Sequence, residues 1–283
     1  MRKSLFASLI AGMLCASAVF AEKGGGYLGI DIGHGNAKFD QNIDAIMTVP
    51  VDADTQRIPL NGNIYASNSM ANITIKGGYK TFFGESRRFG VRGYVYFGYG
   101  YSSMQNINYD FSGSGAIDYG SGFTIPVGQI IEQLGEMNGG SIFTGTGKTY
   151  YNHVFDYGVG GDLLFNFIDA TEHSFGIYGG VALGAETWVA NGKEYKPSEG
   201  SESYFGFQTT INAGIRGVFN EHHGIEFGVK FPLLDTQIFK GSGYSSLMNN
   251  DILVNMGGSV SLNNTTTTMK RPYIIHASYV YNF

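Results

Sequence analysis

From residue 27 to its C-terminus the chain repeatedly alternates apolar and polar side chains over about ten residues, the period of strands that face two different environments. In 27–39, Leu28, Ile30 and Ile32 alternate with Gly29, Asp31 and Gly33. In 73–83, Ile73, Ile75 and Tyr79 share one face, and Thr74, Lys76 and Lys80 share the other. The segment 89–99 sets Phe89, Val91, Val95 and Phe97 against Arg92 and Tyr96, with Arg88 in phase with the polar set. Next, 157–167 opposes Tyr157, Val159, Leu163, Phe165 and Phe167 to Asp162 and Asn166. In 175–187, Phe175, Ile177, Val181 and Leu183 oppose Tyr178 and Glu186. Two further segments, 207–219 and 225–231, set Ile211, Ile215, Ile225, Phe227, Val229 and Phe231 against Asn212, Arg216, Glu226 and Lys230. The last, 273–283, places Tyr273, Ile275, Ala277, Tyr279, Tyr281 and Phe283 on one face.

The connections alternate in length. Those at 84–88, 168–174 and 220–224 are short, whereas those at 40–72, 100–152 and 232–272 are long. Tight turns on one side and long loops on the other are the habit of an outer-membrane barrel, and an even strand count returns both chain ends to the periplasm. The pattern therefore predicts an all-β fold: an eight-stranded antiparallel transmembrane β-barrel with short periplasmic turns and long extracellular loops. A ten-strand count stays open, because 142–154 and 252–262 also have strand character and could instead extend the loop hairpins.

Composition decides which face is which. Hydrophobic residues make up 43% and charged residues only 14%, with 43 Gly, 19 Tyr and 21 Phe, whereas an ordinary soluble domain carries about a quarter charged residues. A soluble sandwich or lipocalin-like barrel would put the apolar face inward. The opposite set of Gly, Asn and charged residues would then lie outside, and it cannot fill a dry core if the faces are exchanged. With the apolar face against lipid, the polar set lines a narrow lumen. Its charges nearly balance: Asp31, Asp162, Glu186 and Glu226 against Lys76, Lys80, Arg88, Arg92, Arg216 and Lys230. In so confined a space they are expected to pair.

The first residues read as an export signal. Arg2 and Lys3 start it, an apolar stretch runs through 5–19, and Ala21 ends a small-residue cleavage site. This divides the chain into a cleaved signal peptide, 1–21, and an outer-membrane barrel, 22–283. Leu14, just before Cys15, argues against lipidation, and Cys15 is the only cysteine, so the mature chain has no disulfide or thiolate chemistry. Removing Arg2 and Lys3 from the 18 basic residues leaves 16 against 23 acidic ones, a balance of −7. That excess of negative charge argues against a nucleic-acid partner. After Ala21 no stretch of 18 apolar residues occurs, so any membrane crossing is made by strands.

The closing strand ends on Tyr279, Tyr281 and Phe283. Aromatics at that end suit the membrane interface, and the terminal Phe resembles the signal read by bacterial barrel-assembly machinery. The segments YGVGGDLLFNFI (157–168), FGIYGGVALGAETWV (175–189), FQTTINAGIRGVF (207–219), HHGIEFGVKFP (222–232) and KRPYIIHASYVYNF (270–283) are similar to the Helicobacter outer-membrane protein family, which includes the Hop and Hor proteins. GYKTFFGESRRFGVRGYVYFGYGY (78–101) resembles the second and third strands of the same family. The resemblance implies a bacterial outer-membrane location. Adhesins of that family carry a large domain after the first strand. Here the interval 40–71 holds only 32 residues, so the resemblance implies a small member without that head.

Several motifs are discounted. Gly24, Gly26 and Gly29 fit a dinucleotide fingerprint but precede a strand, and Gly147-Lys148-Thr149 lacks the first glycine of a phosphate loop, since residue 142 is Ile142. His222, His223 and Glu226 do not make a metal site, because adjacent histidines in an extended turn point apart. No cofactor is implied. His276 falls on the lumen face, and Trp188 and the tyrosines read as interface anchors. Three roles follow: a non-enzymatic surface barrel whose loops contact host molecules, a narrow porin-like channel, and an outer-membrane enzyme using His34 or His153 at the rim. Eight strands leave little open lumen, and no nucleophile motif accompanies the histidines, so the surface role is preferred. The expected partners are outer-membrane lipid, the barrel-assembly machinery and host surface molecules.

Overall fold

The computed structural model describes residues 24–51, 54–84, 88–105, 107–118, 123–129, 132, 149–169, 173–190, 196–244 and 257–283. The predicted signal segment 1–21, with Ala21, lies outside the described residues, as do 142–148 and 252–256. Among the described residues the regular elements are almost entirely strands: β1 (Gly25–Val51), β2 (Asp54–Phe83), β3 (Phe89–Met104), β4 (Asn108–Gly113), β5 (Ala116–Asp118), β6 (Thr124–Pro126) and β7 (Tyr150–Asp169). They continue with β8 (His173–Ala190), β9 (Glu199–Glu202), β10 (Phe205–Phe219), β11 (His223–Pro232), β12 (Thr236–Gly243), β13 (Ser259–Lys270) and β14 (Ile274–Asn282).

Eight of these close a ring in the order β1-β2-β3-β7-β8-β10-β11-β14, and β14 returns to β1 from Tyr27↔Asn282 to Gly35↔Ile274. Closure satisfies every wall strand with two neighbours, which lipid demands because it offers no hydrogen bonds. The stagger of the ring follows from the pairings. Stepping from Gly35 through Ile274, Lys230, Asn212, Gly180, Asp162, Arg92 and Lys80 leads back to β1 at Gly25, ten residues below the start. A stagger of this size tilts the strands by about 40°, so each residue climbs about 2.5 Å along the membrane normal. A neighbouring line on the outer face, Ile32, Ala277, Phe227, Ile215, Ile177, Phe165, Phe89 and Phe83, is apolar throughout.

The eight predicted segments all lie in these eight wall strands. The short connections join β2 to β3, β7 to β8 and β10 to β11, and at the last of them Asn220 and Glu221 adopt the left-handed backbone (φ 50° and 63°) that a tight hairpin needs. Three inward tyrosines, Tyr94, Tyr96 and Tyr178, are accommodated by glycine, Tyr96 by Gly184. A side chain on Gly214 or Gly228 would collide with Tyr178, and one on Gly160 with Tyr94.

The long connections differ from the expectation of loops. The interval 40–72 continues β1 and β2 as one hairpin, 27 and 30 residues long, whose register runs unbroken from Gly25↔Lys80 to Val51↔Asp54. Above the ring β13 takes over from β14 as the partner of β1, from Lys38↔Lys270 to Thr48↔Ser259, and β4 pairs the upper part of β2. With β12 and β9 this makes a six-stranded extracellular sheet, β4-β2-β1-β13-β12-β9. Part of 232–272 and part of 100–152 are therefore sheet, and the ring itself keeps eight strands.

The physical reason is a core. Inside the hairpin lie Ile43, Ala45, Met47, Val49 and Val51 of β1 and Ile58, Leu60, Ile64 and Ala66 of β2, packed with Leu262, Met269, Ile238 and Phe239. The sides therefore exchange along one strand. On β1, Leu28, Ile30 and Ile32 point out and Asp31 points in, whereas above Ala37 the apolar residues other than Ile46 point in and Asn42 and Asp44 point out. On β2 the same exchange falls between Met70 and Ile73. Burying about a dozen such side chains, at about 1.5–3 kcal/mol each, holds a hairpin that would be marginal alone.

Ile64→Asp, an unpaired carboxylate in that core, is expected to cost the extracellular sheet at least about 3 kcal/mol. Protease added to intact cells should then cut the hairpin while the barrel keeps its heat-modifiable gel migration. Equal resistance in variant and parent would contradict the core.

Candidate functional site: the occluded lumen

The inward face of the ring carries a buried ionic network. Glu226 on β11 is its hub: it pairs with Lys76 Nζ of β2 at 3.1 Å, with the guanidinium of Arg92 on β3, and more loosely with Arg216 of β10 at 3.9 Å. β3 and β11 are four strands apart whichever way the ring is followed, so the Arg92–Glu226 pair spans the full lumen. Arg92 Nε also donates to Asp162 Oδ2 at 2.6 Å, and its guanidinium lies 4.7 Å from the centre of the Tyr178 ring. Asp31 on β1 receives Lys76 at 3.0 Å and Lys230 at 2.8 Å. Asn212 of β10 reaches across to Asp162 at 2.9 Å and to the Tyr94 hydroxyl at 3.0 Å.

A second cluster sits above the first. Arg271, in the link between β13 and β14, donates to Glu186 Oε2 through Nε at 3.1 Å and Nη2 at 2.9 Å, and lies 3.3 Å from Asp156. Glu186 Oε1 accepts Trp188 Nε1 at 2.8 Å and the Thr236 hydroxyl. Trp188 also belongs to the apolar core overhead, so this cluster is the floor of the cap. Between the clusters is a cavity of about 30 Å³, room for about two water molecules. Asn212 and His276 line it, and Asn212 Oδ1 and His276 Nδ1 have no protein partner. Tyr178 and His276 Nε2 share a hydrogen bond at 3.0 Å.

These positions follow from period two on short, neighbouring strands. Asp31, Lys76, Lys80, Arg92, Asp162, Glu186, Arg216 and Glu226 are buried inside the ring and Lys230 is nearly so. Lys80 is bound to Asn282 Oδ1 at 2.7 Å. Arg88 is a correction: it stands exposed at the periplasmic end, where the strand has not begun. Trp188 is a second correction, being inside with 1% of its surface exposed and not at the interface. The expectation treated tyrosines as anchors, yet Tyr27 and Tyr178 are buried inside and Tyr94 reaches in to Asn212 and Asp162. Asp156 and Arg271 were missed. Asp156 is in phase with Asp162, so parity could have found it, whereas Arg271 lies in a link and carries no periodic signal.

The remaining expectations separate in space. Tyr279, Tyr281 and Phe283 point outward at the periplasmic end, beside His223, whose Nδ1 is 2.7 Å from the Tyr279 hydroxyl. His222 Nδ1 meets Asn282 O at 2.8 Å, and Glu226 is in the lumen, so the three do not converge. Among the described residues no group of three His, Cys, Asp or Glu side chains is placed to hold a metal. His34 is exposed on the outer wall. His153 is also on that wall, bound to Tyr99 at 2.8 Å and stacked on it. Gly24 directly precedes β1, and Gly26 and Gly29 lie within it.

Two outcomes are expected. Glu226→Ala leaves three cations facing an empty place and should lower stability by about 3–5 kcal/mol, read by urea unfolding in lipid vesicles. Trp188, the one tryptophan of the chain, should emit in the blue and resist quenching by brominated lipid. Strong quenching would place it at the interface after all.

The sequence matches the family of Helicobacter outer membrane proteins over residues 74–283. No curated protein matches it in sequence. Among solved structures it is similar to the outer membrane protein OprG from Pseudomonas aeruginosa, at 14% identity over 93% of this chain and 98% of that one, with a TM-score of 0.41. It is also similar to the outer membrane protease OmpT from Escherichia coli (9% identity, 94% and 99% covered, TM-score 0.34). A third is Ail, the attachment invasion locus protein of Yersinia pestis (12%, 90% and 99%, 0.27).

Proposed function

This chain belongs to the Helicobacter outer membrane protein family, and from that premise we propose that it is a non-enzymatic surface barrel, a closed anchor that presents a six-stranded sheet outside the cell. Its location is the bacterial outer membrane. The observation that carries the reading is the joint arrangement of lumen and hairpin. Arg92, Glu226, Lys76 and Asp162 bridge the interior, and an apolar core closes its outer end, while β1 and β2 project beyond the wall. The outward face of the projection is mostly polar: Asp40, Asn42, Asp44, Asn61, Asn63, Thr266 and Thr268, with Asn63 donating to Asp40 at 3.1 Å and to Asn42 at 3.2 Å. Carboxylates, amides and hydroxyls on a fixed backbone suit recognition by hydrogen bonding, such as contact with host glycans or proteins.

A narrow channel is the second reading, supported by the polar lining and the cavity beneath Arg271. It requires the network to part, and each buried pair broken costs several kcal/mol. Catalysis has less support, since His34 and His153 face outward on separate strands.

Purified protein in planar bilayers should give no conductance steps, and wild-type steps would replace the anchor reading by the channel. On intact cells, a membrane-impermeant maleimide should label Asn42→Cys and spare Gln41→Cys. Asp40→Lys with Asn63→Lys should remove saturable binding of the purified protein to host epithelial cells. Binding that survives the change would rule out this sheet face as the contact.

A further inference from the structure

We infer that Lys38 and Lys270 form a binding site for a phosphate group of an outer-leaflet lipid. The two lysines are direct cross-strand partners on β1 and β13 and share the outer face, Lys38 exposed and Lys270 partly so. Like charges placed opposite each other in a sheet are unfavourable, so the pair calls for an anion. Lys270 has one, Asp235 at 2.9 Å. Lys38 has none among the described residues: the nearest outward acid on its own strand, Asp40, is taken by Asn63. Two facing ammonium groups thus have one carboxylate between them, and it is bound to Lys270. His34, four residues down the same face, is also exposed and without a partner among the described residues.

Height identifies the anion. The change of the apolar side marks where lipid gives way to water, at about residue 35 of β1 and between Met70 and Ile73 of β2. The belt of Phe89, Phe175 and Phe219 marks the other boundary. On the tilt of this ring the two are about ten residues apart, or about 25 Å, the height of an outer-membrane apolar band. Lys38 then stands about 5–10 Å above the hydrocarbon, in the headgroup layer. Directly below the lysines the wall offers Ile32, Ile275 and Tyr273, exposed apolar surface for an acyl chain. A cationic pair above an apolar strip fits an amphiphile with a phosphorylated head, and long lysine stems favour this level.

The test uses detergent-folded full-length protein and native mass spectrometry, with bis-phosphorylated lipid A and the same lipid stripped of phosphate as probes. The phosphorylated lipid should remain bound, the stripped lipid should dissociate, and Lys38→Gln with Lys270→Gln should weaken retention about tenfold. Arginine at both positions should restore it. Heat-modifiable migration of each variant confirms folding. Equal retention by parent and glutamine variant, or of lipid with and without phosphate, would overturn the site. Displacement by millimolar inorganic phosphate would make it a simple anion site and overturn the lipid assignment.

Discussion

A strand of this protein meets lipid over half its length and water over the other half, and its pleat does not change between them. Successive side chains must still alternate, so the apolar set has to change sides where the solvent changes. On β1 it passes from Ile32, outside, to Ala37 and Ile43, inside, with no bulge in the pairing to β2. The barrel, its cap and the sheet above it all depend on that exchange. Below it, apolar residues are stable outside and the interior must be polar. Above it, the interior becomes a conventional dry core and the exterior carries amides, hydroxyls and charges such as Asp40 and Asp44.

The polar interior carries its own constraint. Charges removed from water on a lipid-facing wall have only one another, and a half-satisfied network is worse than none. The tally inside, from Asp31, Asp156, Asp162, Glu186 and Glu226 against Lys76, Lys80, Arg92, Arg216, Lys230 and Arg271, is close to neutral, and most of these groups touch an opposite charge. Pairs that reach from β3 to β11 act as struts. They hold a ring too narrow for a wide pore and oppose its collapse, which makes a stiff base for whatever stands above.

Much of the wall was legible because period two is strong where both environments are constant. Asp162, Glu186 and Glu226 could be placed by counting, and so could the seam that joins the last strand to the first. What escaped lay where the environment changes. In 40–72 the alternation persists, but its apolar phase is reversed, so a reading that follows outward apolar residues sees a strand end at residue 39 and another begin at 73. Trp188 shows the cost of residue type overriding parity. Tryptophan favours interfaces, yet Trp188 is two residues from Glu186 and must share its face. Arg271 lay beyond any count, because Pro272 interrupts the ladder between β13 and β14 and the guanidinium reaches Glu186 from a link. The partners of Glu226 were equally beyond reach, since Lys76 and Arg92 come from strands more than a hundred residues away.

The family match begins at residue 74, four residues beyond Met70 and therefore at the place where β2 enters the membrane. Physical demands differ on the two sides of that point. A wall strand must present apolar side chains to lipid at every second position, keep its register, and place its inward charges against fixed partners. The hairpin above answers only to its own core and to water, so its outward residues are set by what they touch. β1 is needed to close the ring against β14, yet its chain runs on to the matched wall through that hairpin. Whatever distinguishes this protein from others of its kind is therefore expected in the span between β1 and the membrane part of β2. Barrel chemistry alone does not specify it, and the lumen, already satisfied by its own charges, has little left to offer a solute.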